Sequence, residues 1–517
     1  MCPPDQLESP EVKPAATPTF ARVAVIVLLV GASIFLMSWR LSGRTLHVDE
    51  FLTCYRVQDN HDLWDNMHPI TYYAYVRWWT GMFGDSDAAL RSASIVPAAV
   101  GVAMVAAVAW WLLPWPAVAV AVALVALSSE LLLYWRMVRY FAPVAAAFAV
   151  VMFGAVGYLR EKKPWWLAVM AVATVVAGYA DYLPAVACLI PWAYVLGEAY
   201  NRGDVKRSTI VFGALAAAGL ALVPAMLWLV KGAMDLHQRN PHGFSLSMKN
   251  EAVKGGLSLW SLLASETLPP WEGLLAAVSV LGTATLAVAG TIAAWKKGGA
   301  WRMLVVTWPI AVAIAWLALE ATPTEPPVRI TSLALHALPW ALVVLALGWY
   351  SMKTRALAHV ALAAALLGQG VGLYNYFTLQ NHLNPQYSMN WKQVGDLLRA
   401  NAHPGDGLVT FFDAGLLRYY DATGLLTEEA ITMHKVGSSR LEEVLKKGGT
   451  VWLVTRDRGS SRAKDLALEV RGDLEKAGAK AEEHHFFPYK PQELRWRRKL
   501  EGSGATSYVT VYEVRGK

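Results

Sequence analysis

Charged residues are scarce in this chain. Only 16% of its 517 residues are Asp, Glu, Lys or Arg, whereas 55% are hydrophobic. A typical soluble domain carries about 25% charged residues, so this composition excludes an ordinary soluble enzyme and indicates a polytopic membrane protein. The 23 tryptophans agree with this interpretation, because Trp gathers at membrane interfaces.

Cysteine is rare as well. The three cysteines, Cys2, Cys54 and Cys188, are far apart, and their odd number and spacing predict neither a disulfide framework nor a cysteine metal site. The net charge of +7 requires no nucleic-acid partner, since basic loops on the cytoplasmic side of a membrane give the same excess.

Apolar stretches long enough to cross a bilayer recur along the chain. About 20 apolar residues span the hydrocarbon core, and residues 20–39 form the first such stretch, which we expect to be retained because no cleavage site follows it. Residues 1–19 are rich in proline and polar residues and predict a disordered cytoplasmic tail. About eleven spans are predicted, at 20–39, 95–113, 117–133, 141–159, 165–179, 183–200, 210–230, 274–295, 301–319, 333–350 and 356–377.

Basic residues cluster in alternate loops, which predicts an orientation. Under this count all four clusters fall on one side, and the positive-inside rule makes that side cytoplasmic. We therefore expect a multi-pass plasma (inner) membrane protein with a cytoplasmic N-terminus. The first loop, residues 231–271 and the C-terminal part would be extracytoplasmic. The clusters are Arg160, Lys162 and Lys163; Arg202, Lys206 and Arg207; Lys296, Lys297 and Arg302; and Lys353 and Arg355.

Two further segments have distinct patterns. Pro69 predicts a helix start, and the apolar positions from Ile70 to Phe83 recur at a helical period, which predicts an aromatic-rich helix in the membrane interface. From residue 384 the apolar runs shorten. Strands are predicted at 407–412, 450–455 and 508–514, and helices at 391–400 and 463–477. The chain thus predicts a transmembrane domain at 20–380 and an extracytoplasmic α/β accessory domain at 384–517.

Two adjacent carboxylates, Asp49 and Glu50, follow the first span. A carboxylate at a membrane boundary loses hydration, so such a residue is a candidate for function. The alternative is that the pair only caps a helix at the membrane surface. Glu130, near another span end, is either a functional intramembrane acid or an interfacial one.

The sequence resembles the integral-membrane glycosyltransferases of the GT-C fold, nearest to glycosyltransferase family 39, which includes protein mannosyltransferase-like and lipid A aminoarabinose transferase-like proteins. Asp49-Glu50 resembles the acidic pair of their first external loop. The stretch from His68 to Tyr73 resembles their His-Pro-Pro-(Leu/Ile)-Tyr-Tyr motif, with Ile70 where a second proline is usual. The similarity covers residues 20–200 well and the rest loosely. Further similar stretches are Phe83-Gly84, Ala89-Leu90-Arg91, Arg139-Tyr140 and Arg329, with Ile330 in place of a tyrosine.

The resemblance implies an inverting glycosyltransferase that moves a sugar from a polyprenyl-phosphate donor to an extracytoplasmic protein, lipid or glycan. It implies Asp49 as general base and Glu50 as acceptor-positioning residue. The chemistry agrees, because a phosphate leaving group needs cations to stabilise its charge and an acceptor hydroxyl needs one base. The implied substrate-binding residues are His68, Tyr72, Arg91, Arg139, Tyr140 and Arg329.

Several alternatives stay open. Arg91, Arg139 and Arg329 could anchor span ends to lipid headgroups, and His68 could belong only to a helix start. No cofactor is certain, but imidazoles and carboxylates suit a divalent metal. A transporter or flippase of lipid-linked sugars would also bury charges between spans, whereas a non-catalytic scaffold would need neither carboxylate. The candidate metal ligands are His47 and His68, with Asp49 and His61.

Overall fold

The protein is helical up to residue 401, and a small sheet with its helices follows. The computed structural model describes residues 20–44, 46–47, 50–51, 53–54, 57, 70–181, 186–239, 255–256, 259–261, 263–320, 334–380, 382, 391–410, 438–456, 461–488, 491–493, 495 and 507–516. The helices of the first part are α1 (Phe20–Ser38), α2 (Ile70–Phe83), α3 (Asp87–Leu112), α4 (Trp115–Leu127), α5 (Ser129–Trp135), α6 (Phe141–Glu161), α7 (Trp165–Ala180), α8 (Leu189–Asn201), α9 (Val205–Arg239), α10 (Leu274–Lys297), α11 (Ala300–Glu320), α12 (Leu338–Ser351), α13 (Arg355–Thr378) and α14 (Trp391–Asn401).

The helices confirm the predicted polytopic membrane protein. Within the described residues, seven helices are long and apolar enough to cross a membrane, or eight if the bent pair α4–α5 is one span. Helix α7 and the segment Leu335–Ser351 are apolar but shorter. The predicted count of about eleven is therefore not confirmed.

Two predicted spans differ from the structure for local reasons. The span predicted at 95–113 begins earlier, at Asp87, because the Ser86 side chain accepts a hydrogen bond from the Ala89 N–H and so caps the helix. Arg91 therefore lies inside a helix. The span predicted at 117–133 is broken at Ser128, where α4 and α5 meet at 52°. Helix α9 also continues to Arg239, so residues 231–239, predicted to be loop, are helical.

Small residues allow close helix packing. A Cβ at Gly348 of α12 would overlap the carbonyl oxygen of Leu286 in α10, and a Cβ at Gly290 of α10 would overlap that of Val344. The two backbones therefore touch directly. Such contacts are typical of membrane helices, which associate largely through close packing.

The C-terminal part has a four-stranded sheet. Its elements are β1 (Gly407–Thr410), α15 (Ser438–Lys446), β2 (Thr450–Arg456), α16 (Ser461–Lys476), β3 (Lys480–Pro488) and β4 (Ser507–Arg515), and the strand order is β1-β2-β4-β3. Strands β1 and β2 are parallel, and the other pairs are antiparallel. The predicted strands at 450–455 and 508–514 and both predicted helices are confirmed. The first predicted strand is observed up to Thr410, and residues 411–412 lie outside the described part.

The sheet buries both faces. Val451, Leu453 and Val514 pack with Leu441 of α15 and Leu474 of α16. The alternate residues face the other way, as the two-residue period of a strand requires. Trp452, Val454 and Val511 belong to the same apolar cluster as Trp391 of α14 and the membrane helices. The division into domains at residue 384 stays a prediction.

Candidate active site

The first loop, between α1 and α2, is held by a buried ion pair. The Arg91 Nε donates to Glu50 Oε1 at 2.9 Å, and Arg91 Nη2 donates to Glu50 Oε2 at 2.8 Å. Arg91 is 1% exposed and Glu50 is fully buried. A two-point contact of this kind fixes orientation as well as distance. The Glu50 carboxylate is therefore held rigidly against α3.

Backbone groups complete the coordination of both charges. Glu50 accepts from the His47 N–H at 2.8 Å and from the Val138 N–H at 3.1 Å. Arg91 Nη1 donates to the carbonyls of Leu41 at 2.6 Å and Arg44 at 2.8 Å. The pair thus joins three chain segments: the end of α1, the first loop and the turn after α5.

The charge of Glu50 is retained by these contacts. Burial by itself would raise the pKa of Glu50, but the charge and hydrogen bonds of Arg91 outweigh it, and the pKa is lowered to about 2. The contact with the His47 N–H also satisfies a free donor at a helix start, where the Phe51 N–H bonds to the His47 carbonyl. Glu50 thus makes a capping contact, which is only part of the contacts of its side chain; the matching role of Asp49 lies outside the described residues.

A second group of cations lies beside this pair. The guanidinium of Arg44 lies 5.1 Å from the ring centre of Tyr376, and that of Arg136 lies 5.3 Å from the same ring. Arg44 is 8% exposed and Arg136 is 3% exposed. Both Nη atoms of Arg44 are buried, and no described residue forms a hydrogen bond with either of them. Within the described part of the chain, neither arginine forms an ion pair.

Buried guanidinium groups without a counter-charge are costly. Burial lowers the pKa of Arg136, and the charge of Arg44 adds to this effect, although Tyr376 and the charge of Glu50 oppose it. His382, 1% exposed, lies near the same ring and stays neutral, because burial and the charge of Arg44 lower its pKa to about 3. The Arg136 Nη2 also donates to the carbonyl of Trp39. This arrangement, the arginine–tyrosine cluster of Arg44, Arg136 and Tyr376, is suited to binding an anion.

Three predicted substrate-binding residues are buried close to this cluster. Arg139 (5% exposed) and Tyr140 (8%) belong to the turn that contacts Glu50 through Val138. The guanidinium of Arg139 lies 5.3 Å from the Tyr140 ring. Tyr72 is 3% exposed, and Arg139 is near enough to influence its pKa, which burial raises. The structure thus brings Glu50, Tyr72, Arg91, Arg139 and Tyr140 together.

The other predicted site residues are either outside the described part of the chain or differ from their predicted role. Asp49, His68 and Arg329, with the candidate metal ligand His61, lie outside the described residues, so their roles stay predictions. His47 is 7% exposed. Arg91 is buried inside the protein, whereas a headgroup anchor would be exposed. With its guanidinium held by Glu50 and two carbonyls, it is better suited to fixing the loop than to binding a phosphate.

Sequence reasoning missed Arg44, Arg136 and Tyr376. Arg44 and Arg136 follow apolar segments and have the pattern of headgroup anchors, so only the fold reveals that both are buried. One signal was available, since Arg136 and Arg139 flank the same short turn.

Glu130 is an interior residue, 1% exposed. Its Oε2 accepts from the Ser265 hydroxyl at 3.1 Å and from the Glu266 N–H at 2.8 Å. Glu266 Oε1 accepts from the Tyr134 hydroxyl at 2.6 Å. This network joins α5 to the segment before α10, so the Glu130 side chain is buried inside the protein and held by it.

Comparisons with known proteins identify the fold. No protein-family model matches the sequence, and no curated protein matches it at a significant level. The chain is similar to the crystal structure of ArnT from Cupriavidus metallidurans in the apo state, with a TM-score of 0.54, 11% identity, and coverage of 95% of this chain and 98% of that one. For the same protein bound to undecaprenyl phosphate the TM-score is 0.52, with the same identity and coverage. At this identity the likeness shows the fold alone, which is the GT-C fold that the sequence predicted.

Proposed function

We propose that this protein is an inverting glycosyltransferase that moves a sugar from a polyprenyl phosphate to an acceptor on the extracytoplasmic side of the plasma membrane. The observation that carries the proposal is the arginine–tyrosine cluster. It offers two buried guanidinium groups next to the loop that contains Asp49. A membrane protein with the GT-C fold and a buried anion site suits a donor that is both lipid and phosphate.

The cluster would bind the donor phosphate. Arg44 has five N–H donors, and its two buried Nη atoms have no hydrogen-bond partner among the residues that the structure describes. A phosphate oxygen there would satisfy these donors and offset the charge of Arg136. Because guanidinium–phosphate contacts are charge-assisted and bidentate, they also orient the phosphate. The ArnT structure with bound undecaprenyl phosphate supports a ligand of this class.

Asp49 would be the general base. It is the neighbour of Glu50 in sequence, so it belongs to the loop that Glu50 fixes. The Asp49 carboxylate would take the proton of the acceptor hydroxyl as the acceptor oxygen bonds to the anomeric carbon. The bond from that carbon to the phosphate oxygen breaks, and its electron pair leaves with the polyprenyl phosphate. Attack opposite the leaving group inverts the anomeric centre.

The arginines would stabilise the leaving group, since the phosphate gains negative charge as the bond breaks. Preorganised cations in a buried site stabilise such charge without reorganising. Glu50 would act by positioning. Both of its oxygens are occupied by Arg91, His47 and Val138, so its proposed effect on the acceptor runs through the backbone of the first loop.

Two variants test the proposal separately. Arg44→Gln should weaken binding of undecaprenyl phosphate about tenfold or more, since one charge-assisted contact is worth roughly 1.5–3 kcal/mol. Asp49→Asn should bind undecaprenyl phosphate normally but lose about 10²–10⁴-fold in sugar transfer. Arg202→Gln, which changes a surface arginine with a 58% exposed side chain, is the matched control.

The measurements are donor binding and radiolabelled sugar transfer by the purified protein in detergent. Unchanged donor affinity in Arg44→Gln would remove the arginine–tyrosine cluster from the donor site. Full transfer by Asp49→Asn would remove that carboxylate from catalysis. If Asp49→Asn lost donor affinity and turnover equally, the carboxylate would hold the donor or a metal instead.

One observation favours a transporter of lipid-linked sugars as the second candidate. The α4–α5 span is bent by 52° beside the buried Glu130, and broken helices are typical of transporters. An inverted repeat would place a matching break in the other half. The described residues contain one such bent pair. Movement of a labelled lipid-linked sugar across proteoliposomes, without glycosyl transfer, would favour the transporter.

A further inference from the structure

Strands β3 and β4 place three metal-ligating side chains on one face. Glu482 is the register partner of Glu513, and His484 lies two residues beyond Glu482 on the same strand. Side chains two apart on a strand share a face. One ligand atom from each of the three residues lies within 4.8 Å of the other two. Strand periodicity and register therefore produce a His-Glu-Glu cluster.

The Glu513 carboxylate is oriented for a ligand. Its Oε1 accepts from Arg515 Nε at 2.6 Å, and its Oε2 lies 3.1 Å from His484 Nε2. The residue is 5% exposed. Ligating carboxylates in proteins are commonly fixed by a second hydrogen bond of this kind. Arg515 thus directs Oε2 towards the point that Glu482 and His484 also face.

Two carboxylates face each other at this point, and Arg515, in ion-pair contact with Glu513, offsets the charge of only one of them. Glu482 and Glu513 stand directly opposite each other, and like charges in that register destabilise a sheet. A divalent ion between the two carboxylates would attract both and so offset their mutual repulsion. The neutral imidazole of His484 would offer Nε2 as the third ligand. Two carboxylates and one imidazole suit Zn²⁺ or a similar first-row ion, with the remaining position open to water.

We propose that Glu482, His484 and Glu513 bind a divalent transition-metal ion of the Zn²⁺ class. The ion would join β3 to β4. Because β3 is an edge strand and pairs with β4 alone in this sheet, the metal link would strengthen the attachment of β3. The site lies in the C-terminal sheet, apart from the arginine–tyrosine cluster, and does not depend on the proposed transfer reaction.

The opposite face of β3 supplies a matched control. Glu483 and His485 are the same residue types moved by one position, and His485 Nε2 lies 3.3 Å from Glu483 Oε2. Their register partners are Tyr512 and Thr510. This face therefore has a Glu–His pair but lacks the carboxylate that Glu513 supplies to the other face.

The test uses the full-length protein in detergent, stripped with a chelator and then titrated with Zn²⁺. Bound zinc is counted by mass spectrometry and affinity is measured by calorimetry. The wild type should bind one more zinc than His484→Ala. Glu482→Gln, a change at an exposed position, removes a direct ligand and should lower the affinity by at least the roughly 10–100-fold typical of losing an outer-shell partner. His485→Ala and Glu483→Gln should match the wild type.

Stability gives a second readout. Chelation should lower the melting temperature of the wild type and leave that of His484→Ala unchanged. A metal elsewhere, including one bound by His47, would survive both substitutions at the site. Equal zinc content in the wild type and in His484→Ala would overturn the proposal, as would an equal loss in His485→Ala.

Discussion

Glu50→Gln should strongly destabilise the protein, although it changes only one atom. The carboxylate receives four hydrogen bonds, two from Arg91 and one each from the His47 and Val138 N–H groups. An amide retains one acceptor oxygen and places an NH₂ group against donors. Arg91, 1% exposed, would then be a buried charge without its partner. Removing one partner of a buried pair costs about 3–5 kcal/mol.

This cost should depend on pH with a defined sign. The pKa of Glu50 is lowered to about 2 in the folded protein, below the usual value of about 4.3 for a free Glu. The ionised form therefore stabilises the fold above pH 4.3, and this contribution is lost as the pH falls towards 2. The difference in stability between the wild type and Glu50→Gln should be constant from pH 5 to 8 and shrink below pH 4.

A double-mutant cycle measures the coupling. Arg91→Gln alone should also be destabilising, but Glu50→Gln/Arg91→Gln should cost less than the sum of the two, by about 0.5–3 kcal/mol. The control is Glu198→Gln, which removes a surface pair with Arg202 (2.6 Å, side chains 28% and 58% exposed). Such an exposed helical pair is worth only about 0.3–0.5 kcal/mol.

The assay is thermal unfolding of the purified protein in detergent, followed as loss of the monodisperse form. We expect Glu50→Gln to lower the melting temperature by roughly 5–10 °C and Glu198→Gln to leave it nearly unchanged. A Glu50→Gln melting temperature equal to that of the wild type would refute the reasoning, because the pair would then carry no structural cost. Strict additivity in the cycle would show that the two side chains do not interact.

Two other predictions concern packing and orientation. Gly348→Ala should separate α10 from α12, because its Cβ would overlap the Leu286 carbonyl, and should destabilise by about 1–3 kcal/mol or more. Gly213→Ala, at a glycine with open space around it, should be neutral or stabilising in the same melting assay. In a background lacking Cys2, Lys476→Cys (80% exposed) should react with an impermeant thiol reagent on intact cells, and Lys163→Cys (62% exposed) only after lysis. The reverse pattern would contradict the predicted topology.

The sequence predicted the elements of the fold better than their ends. Long apolar runs identify membrane helices because a span must satisfy its own backbone. Their boundaries depend on details that hydropathy does not measure. The Ser86 cap extends α3 outwards past Arg91, and the break at Ser128 turns one predicted span into two helices. Strand β3 was missed because its sequence, with charged and imidazole side chains from Lys480 to His485, lacks the β-branched residues that identify a strand.

The candidate site was predicted in part. Local motifs named Glu50, Tyr72, Arg91 and Arg139 as candidate site residues. The structure places them near one another, and their roles stay predictions. No local pattern predicts that Glu50 and Arg91 pair, because they are separated by the whole of α2. Nor could a sequence pattern reveal Tyr376. This residue lies on α13, far from Arg44 in sequence, and tertiary packing brings the two side chains together.

The backbone groups around Glu50 and Arg91 explain why a buried ion pair, and not an apolar contact, is present here. A buried pair can often be replaced by apolar residues without loss of stability. Here apolar replacements would remove the hydrogen-bond partners of four backbone groups. These are the N–H groups of His47 and Val138, and the carbonyls of Leu41 and Arg44. Each buried unsatisfied group costs about 1–3 kcal/mol. The pair therefore holds three chain segments together through hydrogen bonds. Two of them carry Arg44 and Arg136, the residues that we assign to the donor phosphate, and the loop between them carries Asp49. In the reaction that we propose, fixing these segments against α3 would hold the donor phosphate and the base in one orientation, as a transfer in one step requires.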